Sequence, residues 1–375
     1  MRGFRLMRLL LALALAAVLA ACSSGPQKPR PVELGPSANL ISVRQAWLSK
    51  VGEVAMPLEV RVVGQQVALA SSDGSVAVLD AQNGADLWRT SVGAALAAGV
   101  GYDGQRVAVV TRGNEVVVLD GGRELWRQRL NASSQTAPLV AGARVFVLTA
   151  DRTVTAFDGQ SGRRLWQQQR TGEALVLRQA GVMLAVGDTL VVGLSGKLVG
   201  LNPLNGSTRW EVSIASPRGI NDIERLVDLV TGVSRQGDVV CVRAFQAAVG
   251  CVQAGRGELL WTKPAVSGTG VHGDREFVIG VESDSTVQAW RRSDGERAWA
   301  QDKLRYRELS APLVAGRSVV VGDAQGWLHF LSRDDGSLLA RVATDGKPIT
   351  VTPVLAGNTL VVVTTGGSVY GFRPE

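Results

Sequence analysis

The chain has 375 residues, of which 46% are hydrophobic, 19% are charged and 44 are glycine. This composition excludes a disordered chain and favours strands and turns, and the length predicts either two domains or one array of repeats. The formal net charge of +7 falls to +4 when the three arginines of residues 1–21 are removed, which is too small a surplus to indicate a nucleic-acid partner.

The first 21 residues have the order of a secretory signal. Three arginines precede an apolar run from Leu9 to Ala21, and small residues end that run. A run of this length is too short to span a membrane comfortably. We therefore predict a cleaved signal peptide over residues 1–21.

The signal ends in LAAC, from Leu19 to Cys22, which resembles the lipobox of bacterial lipoproteins. In that family the signal is cleaved before the cysteine, which then carries acyl chains on its sulfur and nitrogen atoms. Each buried methylene adds about 0.8 kcal/mol to membrane binding. Ser23 follows the cysteine, where an aspartate would resemble an inner-membrane retention signal, so the resemblance implies the outer membrane with the body in the periplasm. An ordinary signal with a chance cysteine is the alternative.

A proline-rich segment separates the cysteine from the rest of the chain. Pro26, Pro29, Pro31 and Pro36 prevent helix and sheet-ladder formation there. We predict a lipidated flexible tether over residues 22–39 and a folded body over residues 40–375.

One motif recurs along the folded body, as in VLDAQNGADLW, which ends at Trp88. A glycine always lies four residues before the last position, and successive copies end 38 to 51 residues apart. Six copies end in tryptophan, a seventh ends in Ala340, and one more tryptophan lies a repeat upstream of the first copy. These tryptophans are Trp47, Trp88, Trp126, Trp166, Trp210, Trp261 and Trp299.

Each repeat is predicted to contain four strands in about forty residues. Runs such as VALASSDGSVAVLD predict two strands joined at Asp73-Gly74, and the motif glycine supplies the positive φ that its own turn needs. The tryptophan begins the outgoing strand, and a further strand precedes each motif, as in APLVAGARVFVLT from Ala137. One unit cannot bury its tryptophan alone, so neighbouring units must stack. Repeated units of four short strands predict a β-propeller.

The number of motif copies sets the number of blades. Seven copies predict seven blades, and LVVVTTGGSVYGF, from Leu360 to Phe372, begins an eighth that lacks its last strand. The segment SVRQAWLSKVG around Trp47 can supply that strand from the other end of the chain. We therefore predict an all-β fold, an eight-bladed β-propeller of four-stranded antiparallel blades, whose last blade is closed by the N-terminal strand so that no sheet edge is left open.

The motif VLDAQNGADLW resembles the tryptophan-docking repeat of quinoprotein (PQQ-type) propellers. Two groups carry that repeat: the quinoprotein alcohol dehydrogenases, and the non-catalytic BamB lipoproteins of the outer-membrane β-barrel assembly (BAM) machinery. The chain length, the lipobox and the tether favour the BamB family, and so do VGDAQGWLHFL, from Val321 to Leu331, and the missing tryptophan at Ala340. The resemblance covers Ile41 to Phe372.

The resemblance implies two loops that dock on the periplasmic POTRA domains of the subunit BamA. The segment LVLR resembles the first loop and assigns partner contacts to Leu175, Leu177 and Arg178. The segment DIERLVDLV resembles the second loop and assigns a role to Asp228, whereas Val230 stands where the family has a second acid.

The residues by themselves leave the role of both loops open. Alternate leucines are usually one buried strand face, and only the resemblance favours partner contacts for Leu175 and Leu177. The longest interval between motif ends, from Trp210 to Trp261, is typical of an insertion on a binding face or of a packed loop without a partner. Within it, IERLVD predicts a short helical turn capped by Asn221 or Asp222.

No catalytic or metal-binding pattern is present, and we predict no cofactor. His272 and His329 lie in different blades without a cysteine or acid at ligand spacing, and no Gly-x-Ser-x-Gly, Walker or EF-hand pattern occurs. Cys241 and Cys251 flank a hairpin centred near Gln246, which places them opposite each other. The periplasm permits a disulfide between them, and two buried thiols are the alternative.

These observations predict a non-enzymatic scaffold lipoprotein of the BAM complex at the periplasmic side of the outer membrane. It would bind BamA alongside the other subunits and help unfolded outer-membrane proteins to fold and insert. One alternative is a quinone-dependent dehydrogenase with its cofactor in the central funnel. Another is a cell-wall glycan binder, since propellers present many loops.

Overall fold

Eight antiparallel sheets of four strands each make up the protein in a computed structural model, which describes residues 29–170, 175–222 and 224–375. Every named element in these ranges is a β-strand. Within them, no helix is long and apolar enough to cross a membrane. The predicted all-β, eight-bladed β-propeller is therefore confirmed.

Seven blades are built from four consecutive strands each. Blades 1 to 4 contain β2 (Arg61–Val63), β3 (Gln66–Ala70), β4 (Ser75–Asp80) and β5 (Asp86–Ser91); β6 (Leu96–Tyr102), β7 (Arg106–Thr111), β8 (Glu115–Asp120) and β9 (Arg123–Arg129); β10 (Leu139–Ala141), β11 (Arg144–Leu148), β12 (Thr153–Asp158) and β13 (Arg164–Gln169); β14 (Met183–Val186), β15 (Thr189–Leu194), β16 (Lys197–Leu201) and β17 (Thr208–Ser213). Blades 5 to 7 contain β18 (Leu229–Gln236), β19 (Val239–Ala244), β20 (Ala248–Gln253) and β21 (Glu258–Pro264); β22 (Val271–Gly273), β23 (Phe277–Val281), β24 (Val287–Arg291) and β25 (Arg297–Gln301); β26 (Leu313–Ala315), β27 (Ser318–Gly322), β28 (Trp327–Ser332) and β29 (Leu338–Ala343).

Blade 8 is assembled from both ends of the chain. Its strands are β30 (Val354–Ala356), β31 (Thr359–Val363), β32 (Ser368–Pro374) and β1 (Val43–Lys50), in that order across the sheet. Strand β1 pairs antiparallel with β32, and Trp47 lies opposite Gly371. The predicted closure of the last blade by the N-terminal strand is confirmed.

The two middle strands of each blade carry the core. In blade 2, β7 and β8 are buried on both faces, because each blade packs between two neighbours. These strands are therefore nearly continuous valine runs, as expected of strands covered on both sides. The outermost strand, such as β5, alternates exposed and half-buried residues and supplies the polar outer wall.

The loops divide between two faces of the disc. Motif turns contact the turn between the first and second strands, as in the hydrogen bond from the amide of Ala81 to the carbonyl of Gln65. We call this end the motif face. Connections from blade to blade contact the turn between the second and third strands, as in the bond from the amide of Val92 to the carbonyl of Gly74. We call that end the connection face.

Each motif tryptophan packs on the motif glycine of the following blade. A Cβ atom on that glycine would press into the indole, and its positive φ also favours glycine. At five of the seven pairs the indole N–H donates to a carbonyl of the same turn, for example at 2.9 Å from Trp47 to Ala81 and at 2.8 Å from Trp299 to Arg333. The buried Nε1 of Trp210 has no such partner. The seven pairs are Trp47 on Gly84, Trp88 on Gly122, Trp126 on Gly162, Trp166 on Gly206, Trp210 on Gly257, Trp261 on Gly295 and Trp299 on Gly336.

The exception at Ala340 follows from the way the ring closes. A tryptophan here would pack on the motif turn of blade 8, but that blade joins the two chain ends and has no such turn. A larger side chain on the neighbouring strand compensates in part for the missing indole. Trp299 pairs across the sheet with the small residue Ala289, whereas Ala340 pairs with Phe330.

The axis of the ring is crossed by the segment between β1 and β2. The amide of Val54 donates to the carbonyl of Thr365, the amide of Val100 to the carbonyl of Glu59, and the hydroxyl of Thr231 to the Glu59 carboxylate at 2.7 Å. A cavity of about 430 Å³ lies beside this segment. The segment thus connects blades on several sides of the ring.

The described part of the predicted tether, residues 29–39, is fixed along blade 7. The amide of Val32 donates to the carbonyl of Arg305, and Arg341 Nη2 donates to the carbonyl of Gly35 at 3.0 Å. Leu34 packs against the core between blades 6 and 7. Prolines favour the extended course, as predicted, but these contacts hold residues that the sequence predicted to be flexible. Residues 1–28, including the predicted signal peptide and Cys22, lie outside the described residues.

A buried ionic cluster anchors this segment at the connection face. Asp323 Oδ2 accepts from Arg307 Nε at 2.7 Å and contacts His329 Nε2 at 2.9 Å, while Arg307 Nη1 donates to the carbonyl of Val32. Burial by itself would raise the pKa of Asp323, but hydrogen bonds from His329 and from the amide of Trp327 hold the pKa below its ordinary value. Burial lowers the pKa of His329.

Candidate partner-binding site

The loops predicted to bind a partner are the connections that follow blades 3 and 4, and both lie on the connection face. The first runs from the end of β13 to β14 and contains LVLR. The second runs from the end of β17 to β18 and contains Asp228. Each is held to the middle turn of its own blade, by bonds from the amide of Arg170 to the carbonyl of Arg152 and from the amide of Ile214 to the carbonyl of Gly196.

The structure joins the two loops into one surface. The amide of Leu177 donates to Asp228 Oδ2 at 2.9 Å. The main chains also meet directly, because the amide of Thr231 donates to the carbonyl of Ala180. Asp228 therefore lies beside the leucine loop although 51 residues separate it from Leu177.

The four residues predicted to bind the partner differ in how exposed they are to solvent. Leu175 is 41% exposed and Arg178 is exposed, whereas Leu177 and Asp228 are half-buried. Val230, at the position of the expected second acid, is 2% exposed and pairs with Arg243 on β19. Val230 is thus part of the core in this chain. Of the two acids in the family's pattern, the chain has Asp228 alone.

Arg152 holds the first loop, and the sequence prediction missed it. Its Nη2 donates to the carbonyl of Leu175 at 3.1 Å, and its Nε donates to the hydroxyl of Ser195 at 2.6 Å. The residue is 9% exposed and has a φ of 61°. The equivalent turn in blade 1 has Gly74, so an arginine at a left-handed turn position was a signal available in the sequence.

The longer second connection forms a surface protrusion. Asn221 caps a single turn, since its Oδ1 accepts from the amide of Glu224 and its carbonyl accepts from the amide of Arg225. The predicted helical turn is thus one turn and not a helix. Ile220 at its tip is fully exposed, and a groove of about 790 Å³ that includes Phe245 lies at its base.

Cys241 and Cys251 lie opposite each other on β19 and β20, and the structure joins them by a disulfide. Both residues are fully buried. Arg292 Nη1 lies 3.2 Å from the sulfur of Cys241, which places a cation against the bond. Gln246 takes a positive φ at the tip of the hairpin.

Metal-ligating side chains do not cluster in the described part of the chain. No group of three or more histidine, cysteine or acidic side chains there could hold a metal ion. His272 and His329 lie in adjacent blades on β22 and β28. The central funnel, where the enzyme alternative would place a quinone, is crossed by residues 54–59.

The repeat geometry and the closed ring of eight blades define a PQQ-type repeat propeller. A family model described as "Outer membrane protein assembly factor BamB" matches residues 72–301. Proteins of that name from Burkholderia pseudomallei and Bordetella pertussis are 39% and 36% identical to the chain, over 96% and 94% of its length and 95% and 92% of theirs. The chain belongs to the BamB family of outer membrane protein assembly factors.

A solved structure supports the fold. The crystal structure of BamB from Moraxella catarrhalis superposes with a TM-score of 0.78 at 24% sequence identity, covering 87% of this chain and 99% of that one. Family membership associates the protein with the outer membrane and makes it a non-enzymatic assembly factor. The dehydrogenase and glycan-binding alternatives are not favoured.

Proposed function

We propose that the protein is a scaffold of the BAM complex whose connection face docks on the POTRA domains of BamA. Leu175 and Arg178 would make the outward contacts, and Leu177 and Asp228 would hold the loops in one shape. The complex would then present BamA to unfolded outer-membrane proteins and assist their folding and insertion. Family membership and the joined loops together support this proposal.

The single observation that carries the proposal is the hydrogen bond between the Leu177 amide and the Asp228 carboxylate. A loop that must be ordered on binding loses affinity through its conformational entropy, so a loop already held by its neighbour binds more tightly. Arginine is enriched among the residues that contribute most to binding energy, and Arg178 is exposed on this base.

Membrane attachment would come from acylation of Cys22 after cleavage of residues 1–21. Val32, which follows Cys22 by ten residues, is bonded to Arg305 at the connection face. The acylated end would therefore leave from the same face as the BamA-binding loops. This arrangement would hold that face toward the membrane-embedded partner, with the body in the periplasm.

The test is co-purification of BamA with the full chain from cells that express it with an affinity tag. We expect the double substitution Leu175→Ala with Arg178→Ala to reduce the BamA retained by about tenfold or more. The matched control is Leu204→Ala with Arg163→Ala, which removes an exposed leucine and an exposed arginine from the motif face. Equal retention by both double variants would exclude this surface as the BamA site.

A further inference from the structure

One of the eight junctions between blades has a different construction from the rest. At seven junctions an indole covers a motif turn. Between blades 7 and 8 there is neither an indole, because Ala340 replaces it, nor a covalent motif turn, because β32 and β1 are the two ends of the chain. The closure of the ring thus leaves one junction without the groups that fill the others.

An apolar groove of about 340 Å³ lies at this junction on the motif face. Phe330 and Val320 from blade 7 form one wall, and Leu360 and Phe372 from blade 8 form the other. Leu355 stands at its rim and is 42% exposed. The volume is at the low end of the range of about 300–1,000 Å³ typical of small-ligand sites, and it suits one large side chain.

Arg373 is the cation beside the groove, and its side chain is hydrogen-bonded to other groups. Arg373 Nε donates to the hydroxyl of Thr359 at 2.9 Å, and its Nη2 donates to the carbonyl of Gln82. Its guanidinium therefore stays at the rim. The walls of the groove are aliphatic and aromatic, which favours an aromatic occupant that packs edge to face or offset on the phenylalanine rings.

The N-terminal segment of the chain leads away from the groove. Residues 41–43 line one side of it. The chain then runs from Leu40, whose amide donates to the carbonyl of Leu339, along blade 7 to Val32 at the connection face. The described N-terminal segment therefore leads from the groove to the opposite face of the disc and does not fill the groove.

We propose that this groove binds an aromatic side chain presented on an extended strand of an unfolded outer-membrane protein. The groove is lined by Phe330, which pairs across the sheet with Ala340, the position of the missing indole. Membrane β-barrels carry girdles of aromatic residues at both interfaces. The inference rests on the proposed role in outer-membrane protein assembly. It concerns the motif face, so it adds a client site opposite the BamA-binding loops.

The experiment measures binding of a fluorescein-labelled ten-residue peptide of alternating apolar and polar residues with one tryptophan. The full-length protein is titrated into it, and fluorescence anisotropy is recorded. A second peptide has alanine in place of the tryptophan. We expect the tryptophan peptide to bind at least about tenfold more tightly than the alanine peptide, because the anchor residue is lost.

Two substitutions test the location. Leu355→Asp places a charge at the rim, and Ala340→Trp restores the motif residue opposite Phe330, which lines the groove. Each is expected to weaken binding of the tryptophan peptide by about tenfold or more. Leu204→Asp changes an exposed leucine on the same face at a junction that an indole already fills, and it is expected to leave binding unchanged. Circular dichroism and BamA co-purification check that each variant is folded and competent.

The outcomes separate this proposal from the proposed function. Equal binding of both peptides, or binding that neither groove substitution weakens, would overturn the groove proposal while BamA retention stays intact. Displacement of the peptide by myristate, with tighter binding of the fatty acid than of the peptide, would identify an acyl-chain site and also overturn it. Loss of BamA retention in the loop variant is independent of both results.

Discussion

Leu177 donates its amide hydrogen to the carboxylate of Asp228 at 2.9 Å, and this one bond converts two separate connections into a single surface. It assigns to Asp228 a positioning role in its own protein, independent of any contact that the residue makes with a partner. The two roles differ in what they require. Positioning needs an oxygen acceptor at this place, whereas an ion pair with a partner needs the negative charge.

Substitution of Asp228 separates these roles. We expect Asp228→Ala to reduce BamA retention by about tenfold, because the Leu177 amide loses its acceptor and the loop loses its support. Asp228→Asn keeps an oxygen acceptor and is expected to retain more BamA than the alanine variant does. Quantitative co-purification measures the difference. If both variants lost BamA to the same extent, the negative charge would be the essential feature and the positioning role would be wrong.

Substitution of Arg152 is expected to affect the loop more than global stability. Arg152→Gly relieves a left-handed backbone conformation that costs about 1–2 kcal/mol, and it removes hydrogen bonds of about 1 kcal/mol each. The two effects oppose each other, so the free energy of unfolding should change by less than about 2 kcal/mol. Amide hydrogen exchange around Leu175 should become faster, and BamA retention should fall. A large loss of stability with unchanged exchange in that loop would contradict this expectation.

Two glycine substitutions test the packing of indoles on motif turns. Gly295→Ala places a Cβ about 2.5 Å from the indole of Trp261, whereas Gly316→Ala meets no atom within 4 Å, although both glycines have a positive φ. We expect the second variant to lose about 1 kcal/mol of unfolding free energy, from backbone strain alone. The first should lose about 1–3 kcal/mol more from overpacking. Urea unfolding measures both, and equal losses would show that the indole moves aside without cost.

The buried His329 predicts a dependence of stability on pH. Burial lowers its pKa in the folded protein below the ordinary value of 6.5, so between the two pKa values the unfolded chain binds more protons. Its contribution to stability is complete above about pH 6.5 and is lost as the pH falls toward the folded pKa. The free energy of unfolding should therefore decrease from pH 7 to pH 5, by up to about 1.4 kcal/mol per pH unit for one proton.

The variant His329→Gln isolates this contribution. It keeps a polar side chain beside Asp323 without a group that titrates in this range. We expect a smaller decrease of stability between pH 7 and pH 5, while His272, whose pKa is also lowered mainly by burial, continues to contribute. Urea unfolding at several pH values measures the slope. An unchanged slope would show that His329 is not protonated on unfolding in this range.

The architecture could be predicted from the sequence because most strands that pair with each other are close together in the chain. Seven of the eight blades use consecutive strands joined by short turns. The motif glycine recurs in every copy, and the tryptophan recurs in every copy except the one that ends in Ala340. Even the closure by β1 was visible, since Trp47 lies one repeat before Trp88. Periodicity of this kind depends on neighbours along the chain, and the sequence displays those neighbours directly.

The surface proposed to bind BamA could be recognised only in the tertiary structure. The bond between Leu177 and Asp228, the grip of Arg152 on the first loop and the docking of residues 29–39 on blade 7 join segments far apart in the chain. Ala340 shows the same division. The sequence shows that the motif tryptophan is missing there, but only the structure shows that blade 8 has no motif turn on which it could pack. The sequence alone determined a ring of eight units. Only the folded ring decided which loops meet and which junction stays open to an occupant, because those contacts depend on distances across the closed circle.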